Sequence, residues 1–177
     1  MAKTYRRAEV EELLLALERN ANAVVKAARV ATSDTRHDQF EGYTAFRERC
    51  DDFDTLAILI EHRLKNIAGG KPEDLEKKFS ELKIFILTST LKTSLHFLRV
   101  LSERDALPLG SRDIFLRELR NLHAVQGKMS ASELAEHLDP RATADMKVAE
   151  EILNLILDRA PTLLDLGMRA EQLEGAA

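Results

Sequence analysis

The chain has 177 residues, a hydrophobic content of 45% and a net charge of −4, the profile of a soluble globular protein of one domain. The acidic balance argues against nucleic acid as the main partner, although it leaves room for a local basic patch. The single cysteine, Cys50, excludes an internal disulfide and a cysteine-based zinc site. Few glycines and prolines, and many leucines, alanines, glutamates and arginines, predict an all-α fold.

Two further sequence features concern location and cofactors. The first residues, MAKTYRRAEVEELL, lack the apolar core of a signal peptide, and apolar runs such as 84–87 are too short to cross a membrane. We therefore expect a cytoplasmic protein without a membrane partner. The Gly-Gly-Lys at 69–71 lacks the strand and the spacing of a phosphate-binding loop, so no cofactor is expected either.

The first two helices are predicted at about 4–31 and 40–68, with a turn at 32–38 between them. Apolar residues recur in each at every third or fourth position, which gives one apolar seam per helix. Cys50 lies in the second seam, so we expect a buried thiol rather than a reactive one. Leu15 and Leu59 lie outside the seams, and we hypothesise that they support a homodimer or a partner surface. The seams comprise Val10, Leu14, Leu17, Ala21, Val24, Ala28 and Ala31 in the first helix, and Phe40, Tyr43, Phe46, Cys50, Phe53, Ala57, Ile60, Leu64 and Ile67 in the second.

A third helix, predicted at about 72–105, differs because it is apolar on two sides. The two apolar faces lie about 160° apart at 100° per residue. A helix of this kind is usually packed between neighbours, so we predict that it is the central helix. One face is marked by Leu75, Phe79, Leu82, Ile86, Phe97 and Val100, and the other by Ile84, Leu87, Leu91, Leu95 and Leu98.

Three shorter helices are predicted in the C-terminal part. The first covers about 112–126 and ends at Gly127. A capping box, Ser-Ala-Ser-Glu, opens a short second helix within 130–138. The last begins near 140 and is stopped or kinked by Pro161.

These elements predict an elongated up-and-down bundle of three long helices completed by about three shorter C-terminal helices. We predict that residues 1–177 form a single domain. Its weakest point is the turn at 106–111, and a frayed tail is expected at 170–177.

His62 is the first candidate functional residue. Counting 100° per residue places it opposite the centre of the second seam, so its imidazole is predicted on the polar face. An exposed histidine can accept a phosphoryl group, with a carboxylate to orient the ring and a lysine to face the phosphoryl oxygens. The candidate phosphoacceptor site is thus His62 with Glu61, Lys65 and Asn66. The alternative is a solvated histidine near a helix C terminus, where cationic residues suit the helix dipole.

The stretch HRLKN, residues 62–66, resembles the H-R-x-K-N phosphoacceptor box of one class of sensor histidine kinases. His62-x-Leu64-Lys65 also resembles the H-x-L-K-G core of histidine-phosphotransfer domains. Either resemblance implies a phosphorelay role for His62. Asn66 stands where the phosphotransfer domains have a glycine that helps the partner approach, and nothing in the chain resembles an ATP-binding domain.

Arg117 and His123, separated by five residues in LRELRNLHAVQGK, form the second candidate. Their spacing resembles the R-x(4–6)-H pattern of HEPN ribonucleases, which are also all-α. The resemblance implies that the pair acts together on an RNA phosphodiester, usually across a dimer. The alternative is an amphipathic helix with its arginine directed outward and its histidine at an interface.

A third candidate is the strip formed by Lys92, His96 and Arg99 on the central helix, which could attract an anion or an acidic partner. The alternative interpretation is that these residues are only the solvent-exposed edge of that helix. No metal site is expected, because the histidines are scattered and no Glu-x-x-His pair occurs. Glu133 and His137, four residues apart, would form half of such a site at most.

Three functions follow as hypotheses. The first is a non-catalytic interaction or regulatory protein, an adaptor or scaffold with protein partners, because no catalytic constellation stands out. The second is a phosphorelay protein that uses His62, and the third is a HEPN-like ribonuclease or a degenerate relative that uses Arg117 and His123.

Overall fold

The computed structural model describes residues 4–37, 39–68, 72–104, 107, 111–131, 135 and 138–174, with side chains in the last helix at positions up to 156 and at 158. Within these residues the protein contains five helices and no strand, which confirms the all-α prediction. The helices are α1 (Arg7–Thr35), α2 (Glu41–Lys65), α3 (Glu73–Ser102), α4 (Arg112–Ser130) and α5 (Pro140–Glu174).

The predicted seams form the core between α1 and α2. All seven seam residues of α1 are buried, and in α2 the seam is buried from Tyr43 to Leu64 except for the partly buried Cys50. Leu15 and Leu59, predicted to lie outside the seams, are 54% and 53% exposed. Periodicity therefore identified which side of each helix faces the core.

The central position of α3 is also confirmed. This helix contacts all four of the others, α1, α2, α4 and α5. Residues of both predicted faces, such as Phe79 and Ile86 on one and Leu91 and Leu98 on the other, are buried.

Among the described residues, α3 is the one helix that is long and apolar enough to cross a membrane by length and composition alone. Of its most apolar window, 56% is buried inside the protein. The central helix of a soluble bundle meets the same criterion, since it is covered by its neighbours.

The end of α1 differs from its predicted position. The helix continues four residues beyond position 31 into the predicted turn and ends at Thr35. The Thr32 hydroxyl donates to the Ala28 carbonyl at 2.8 Å, and the Thr35 hydroxyl donates to the Ala31 carbonyl at 2.7 Å. The two hydroxyls are thus satisfied within the helix, and the buried Thr35 packs the last turn against the rest of the protein.

The C-terminal half departs further from the prediction. Gly127 does not end α4, which runs to Ser130 because the buried Val125 and Met129 on either side of the glycine hold that turn against the core. Nor does Pro161 stop the last helix, which at 35 residues is the longest in the protein rather than a short one. A proline removes one backbone hydrogen bond, and a helix can retain its turns on both sides of that loss.

Several predictions concern residues that lie outside the described part of the chain. These residues are the middle of the short helix predicted within 130–138, including Glu133 and His137, most of the predicted turn at 106–111, and positions 175–177 of the tail. The tail from 170 to 174, predicted to fray, is part of α5.

Candidate functional site

His62 lies in the last turn of α2, and the structure confirms that its side chain is exposed. The buried Ile60 and Leu64 fix the rotation of this turn, because both insert into the core. The histidine between them is thereby directed away from the core. Its position follows from the apolar seam and not from any bond of its own.

The N-terminal segment packs beside this histidine. The Tyr5 N–H donates to the Asn66 carbonyl at 3.1 Å, and the Ala68 N–H donates to the Tyr5 carbonyl at 3.0 Å. The Tyr5 ring then meets the His62 ring edge-on, with 6.3 Å between centroids, while the Arg63 guanidinium lies 4.8 Å from the Tyr5 centroid. One side of the imidazole is therefore covered by an aromatic ring.

The other predicted members of the phosphoacceptor site surround His62 without contacting its ring nitrogens. Lys65 Nζ donates to Glu61 Oε1 at 2.8 Å, and Lys83 Nζ lies 3.9 Å from the other carboxylate oxygen. The hydrogen bond from Lys65 lowers the pKa of the Glu61 carboxyl below its ordinary value. Asn66 Nδ2 donates to the His62 carbonyl at 2.8 Å. Within the described residues no hydrogen bond reaches the imidazole itself, so no tautomer is imposed.

Arg117 and His123 are both exposed on α4, but the structure does not bring them together. Six positions apart, they point about 120° away from each other around the helix axis. His123 instead lines a shallow groove between α4 and α5, together with Gln126 and Met146.

The strip on α3 is divided among three different contacts. Lys92 Nζ lies 3.6 Å from Asp145 Oδ2 on α5, and Arg99 Nε donates to the Glu103 carboxylate at 3.1 Å. A ring nitrogen of His96 bonds to the Thr32 carbonyl at 3.2 Å. Partial burial, with a smaller effect from Arg36, lowers the pKa of His96. Each member of the strip thus has an intramolecular partner.

The most elaborate polar arrangement is one that the sequence did not predict. Arg47 of α2 forms a two-pronged ion pair with Glu118 of α4, in which Nε donates to Oε2 at 2.9 Å and Nη2 donates to Oε1. The carboxylate is fully buried and the arginine side chain is 11% exposed. Arg47 Nη2 also donates to the Ser94 hydroxyl at 2.8 Å, and Asn121 Nδ2 donates to Glu118 Oε2 at 3.3 Å. We call these residues, with Tyr43, the buried polar cluster.

Aromatic rings enclose this cluster. The Tyr43 hydroxyl accepts from Arg47 at 3.2 Å, and the Tyr43 ring stacks on Phe97 at 4.1 Å. The guanidinium lies 5.1 Å from the Phe46 centroid. Burial raises the pKa of Tyr43 well above its ordinary value and that of the neighbouring Cys50 thiol to about 11. The raised pKa disfavours the thiolate of Cys50 at neutral pH, in line with its position in the seam.

A sequence signal for the cluster does exist. Glu118 interrupts the otherwise apolar stripe of α4, in which Phe115, Leu122, Val125 and Met129 are all buried. A carboxylate at such a position must find a partner, because an unpaired buried charge is costly. The signal identifies the acid, but the basic residue lies 71 positions away in the sequence.

Two further concave surfaces lie on the part of the chain that the structure describes. The larger, of about 920 Å³, follows α3 between Val25 of α1 and Asp139 at the start of α5, and we call it the α3 trough. Its centre is Ile84 and the 49% exposed Phe85. The second, of about 360 Å³, lies among α2, α3 and α4. No group of three or more histidine, cysteine or acidic side chains that could hold a metal occurs in the part of the chain that the structure describes.

No protein family, curated protein or solved structure matches the chain.

Proposed function

We propose that the chain is a non-catalytic helical interaction protein, an adaptor or regulator, that binds its protein partner in the α3 trough. The observation that carries this proposal is the large open apolar surface along the central helix, with Phe85 half exposed at its middle. A ring in this position gains apolar contacts when a partner covers it, and buried aromatic residues contribute strongly to binding. A second observation supports a non-catalytic role: the predicted reactive side chains, such as Arg117 and His123, do not lie together.

The dimensions of the trough favour an amphipathic helix as its occupant. Along α3 the trough extends from Lys77 to Lys92, a rise of about 22 Å at 1.5 Å per residue. Helix-in-groove recognition uses an apolar face that repeats every three or four residues. The trough is lined by Lys77 and Lys92 but also by Glu81 and Asp139, so its charges balance. The complementary helix is therefore one with an apolar face that covers Ile84 and Phe85.

The first prediction is that Phe85→Asp weakens the binding of such a helix at least tenfold. The substitution removes the central apolar contact and places a carboxylate where the apolar face of the helix would dock. Fluorescence anisotropy would measure binding of a labelled peptide with leucines on one face and polar residues on the other. A scrambled peptide of the same composition provides the ligand control.

Leu15→Asp is the matched control, because Leu15 is exposed to a similar extent on another helix. It should leave the peptide affinity unchanged. Equal affinities for the ordered and scrambled peptides, or equal losses in the two variants, would reject the trough as the docking surface. The homodimer remains a separate prediction, which light scattering of the wild type, Leu15→Asp and Leu59→Asp proteins tests directly.

A second candidate function, phosphoryl transfer through His62, is favoured by the exposure of that side chain at the end of α2. The ring is accessible, Lys65 and Arg63 supply positive charge nearby, and Glu61 adjoins it in the chain. An aspartyl-phosphate on a partner protein would be the phosphoryl donor. The carboxylate would have to leave its lysine partners to orient the imidazole.

Phosphoramidate provides a direct second prediction for this candidate. Its P–N bond breaks, a bond from phosphorus to a His62 ring nitrogen forms, and ammonia leaves. Phosphorus NMR should show phosphohistidine that forms faster at His62 than at the exposed His123, and the faster signal should disappear in His62→Gln. A His123→Gln variant controls for general surface labelling. Identical labelling of His62→Gln and the wild type would reject the candidate.

A further inference from the structure

The surface formed by α1 and α3 continues beyond the end of the α3 trough. Lys78 Nζ of α3 lies 2.9 Å from Glu18 Oε2 of α1, and further along both helices a ring nitrogen of His96 bonds to the Thr32 carbonyl at 3.2 Å. The two helices therefore lie side by side and run in the same direction. Along α3 the trough reaches Lys92, so the contact at His96 lies about one turn beyond it.

A stripe of α1 that begins in the trough carries two arginines. Val25 lines the trough, and Arg29 and Arg36 follow four and eleven positions later. Counting 100° per residue places both arginines within about 40° of Val25 around the helix axis. Both side chains are exposed. Burial lowers the pKa of His96 and the charge of Arg36 lowers it further, which is consistent with Arg36 lying on the same surface as His96.

These two arginines are the charges that the surface leaves unbalanced. The cations Lys92 and Arg99 of α3 each have an acidic partner. Asp34, the one acid between the two arginines in the sequence, lies beside the start of α2 and not on this stripe. Within the described residues the side chains of Arg29 and Arg36 form no ion pair and no hydrogen bond. The end of the surface beyond the trough therefore carries an excess of two positive charges.

We propose that the partner helix of the α3 trough carries two acidic residues, seven positions apart, that bind Arg29 and Arg36. Seven residues are two helical turns, or about 10.5 Å, so acids at that spacing on one face of a helix match the two arginines. The apolar contact at Phe85 holds the partner, and the arginines select an acidic one. The net charge of −4 favours a protein helix over a nucleic acid as the source of the negative charges. This inference rests on the proposed function, because it specifies the partner that the trough binds.

Two labelled peptides with the same apolar face test the proposal on the full chain, one with glutamates at the two positions and one with glutamines. Each is made with the pair before and with the pair after the apolar face, so that both chain directions are covered. In fluorescence anisotropy the tighter glutamate peptide should bind about fivefold more strongly than its glutamine counterpart, the effect of two exposed charge pairs. This preference should disappear in Arg29→Gln with Arg36→Gln, and at 1 M salt.

Arg117→Gln with Arg120→Gln is the matched control, because it removes two exposed arginines of α4 and changes the net charge equally. It should retain the preference for glutamate. Loss of the preference in this control, or displacement of the glutamate peptide by an equal concentration of short single-stranded RNA, would overturn the proposal. Equal affinities of the glutamate and glutamine peptides would also overturn it while leaving the trough as a docking surface. Failure of both peptides to bind would instead reject the proposed function, and the inference with it.

Discussion

Helix α2 carries two groups of charged residues, about 21 Å apart along its axis, that behave in opposite ways. Near its start, Arg47 and the fully buried Glu118 form a two-pronged ion pair enclosed by aromatic rings. Near its end, Glu61 and Lys65 form an ion pair with one hydrogen bond, and their side chains are 44% and 71% exposed. The same pairing of charges thus occurs once in the interior of the protein and once at its surface.

The difference shows which group can serve a partner. In the buried polar cluster each polar group is bonded to another, and the cluster links α2, α3 and α4 through Arg47, Ser94 and Glu118. Removing one member leaves the others without water to replace it. At the end of α2 the side chain of His62 is exposed to water, so it is available to a partner while that of Arg47 is not.

The largest effect is expected from Glu118→Ala. It leaves the Arg47 guanidinium buried without its counter-ion, and breaking such a pair typically costs about 3–5 kcal/mol of unfolding free energy. Urea denaturation followed by circular dichroism would measure the loss. A cost below about 1 kcal/mol would contradict the view that the cluster is dry.

The double replacement Arg47→Met with Glu118→Leu distinguishes the contribution of the two charges from that of filling the same buried space. Because both charges leave together and apolar groups take their volume, the double variant should be at least about 2 kcal/mol more stable than Glu118→Ala alone. If it is as unstable as the single variant, the cluster stabilises the protein by more than charge compensation, for example through the hydrogen bond to Ser94.

The alkylation rate of Cys50, which lies beside the cluster, measures the same exclusion of water. With the pKa of the thiol raised from 9.0 to about 11, the thiolate fraction at pH 8 falls about 100-fold. Alkylation by iodoacetamide should therefore be at least about 100-fold slower in the folded protein than in guanidinium chloride, and should accelerate as the pH approaches 11. Folding stability should fall over pH 9–11, because the unfolded thiol ionises first.

The comparison of the two regions also shows which structural features could be predicted from the sequence. The seams predicted which side of α1 and α2 faces the core, and hence the exposure of His62, because burial repeats with the helix period. Glu118 stands out within an apolar stripe, but nothing local indicates Arg47 as its partner. Pairing across 71 positions depends on how helices pack, and short-range patterns do not contain that information.

The helix ends show a similar division between local and tertiary causes. Thr32 and Thr35 suggested a turn by composition, yet Thr35 is buried and both hydroxyls bond to carbonyls of the helix, and α1 continues to Thr35. Gly127 suggested an end to α4, yet the turn around it is held by buried neighbours. Both grooves escaped prediction because each is formed by residues that are distant in the sequence, from α1, α3 and Asp139 in one and from α2, α3 and α4 in the other, and their packing is not encoded in any one helix.

The smallest effect is expected from Glu61→Gln, at about 0.5 kcal/mol of unfolding free energy or less. The lowered pKa of Glu61 in the folded protein means that its contribution exists above the ordinary carboxyl pKa and disappears as the pH falls through the folded value. Because the pair is exposed, 1 M salt should abolish the difference between variant and wild type in urea denaturation. Asp52→Asn, which removes the exposed Arg49–Asp52 pair at 3.3 Å, is the matched control and should behave alike. A salt-independent cost approaching that of Glu118→Ala would mean that the end of α2 is as dry as the buried polar cluster, and His62 would then lose the solvent access on which its candidate function depends.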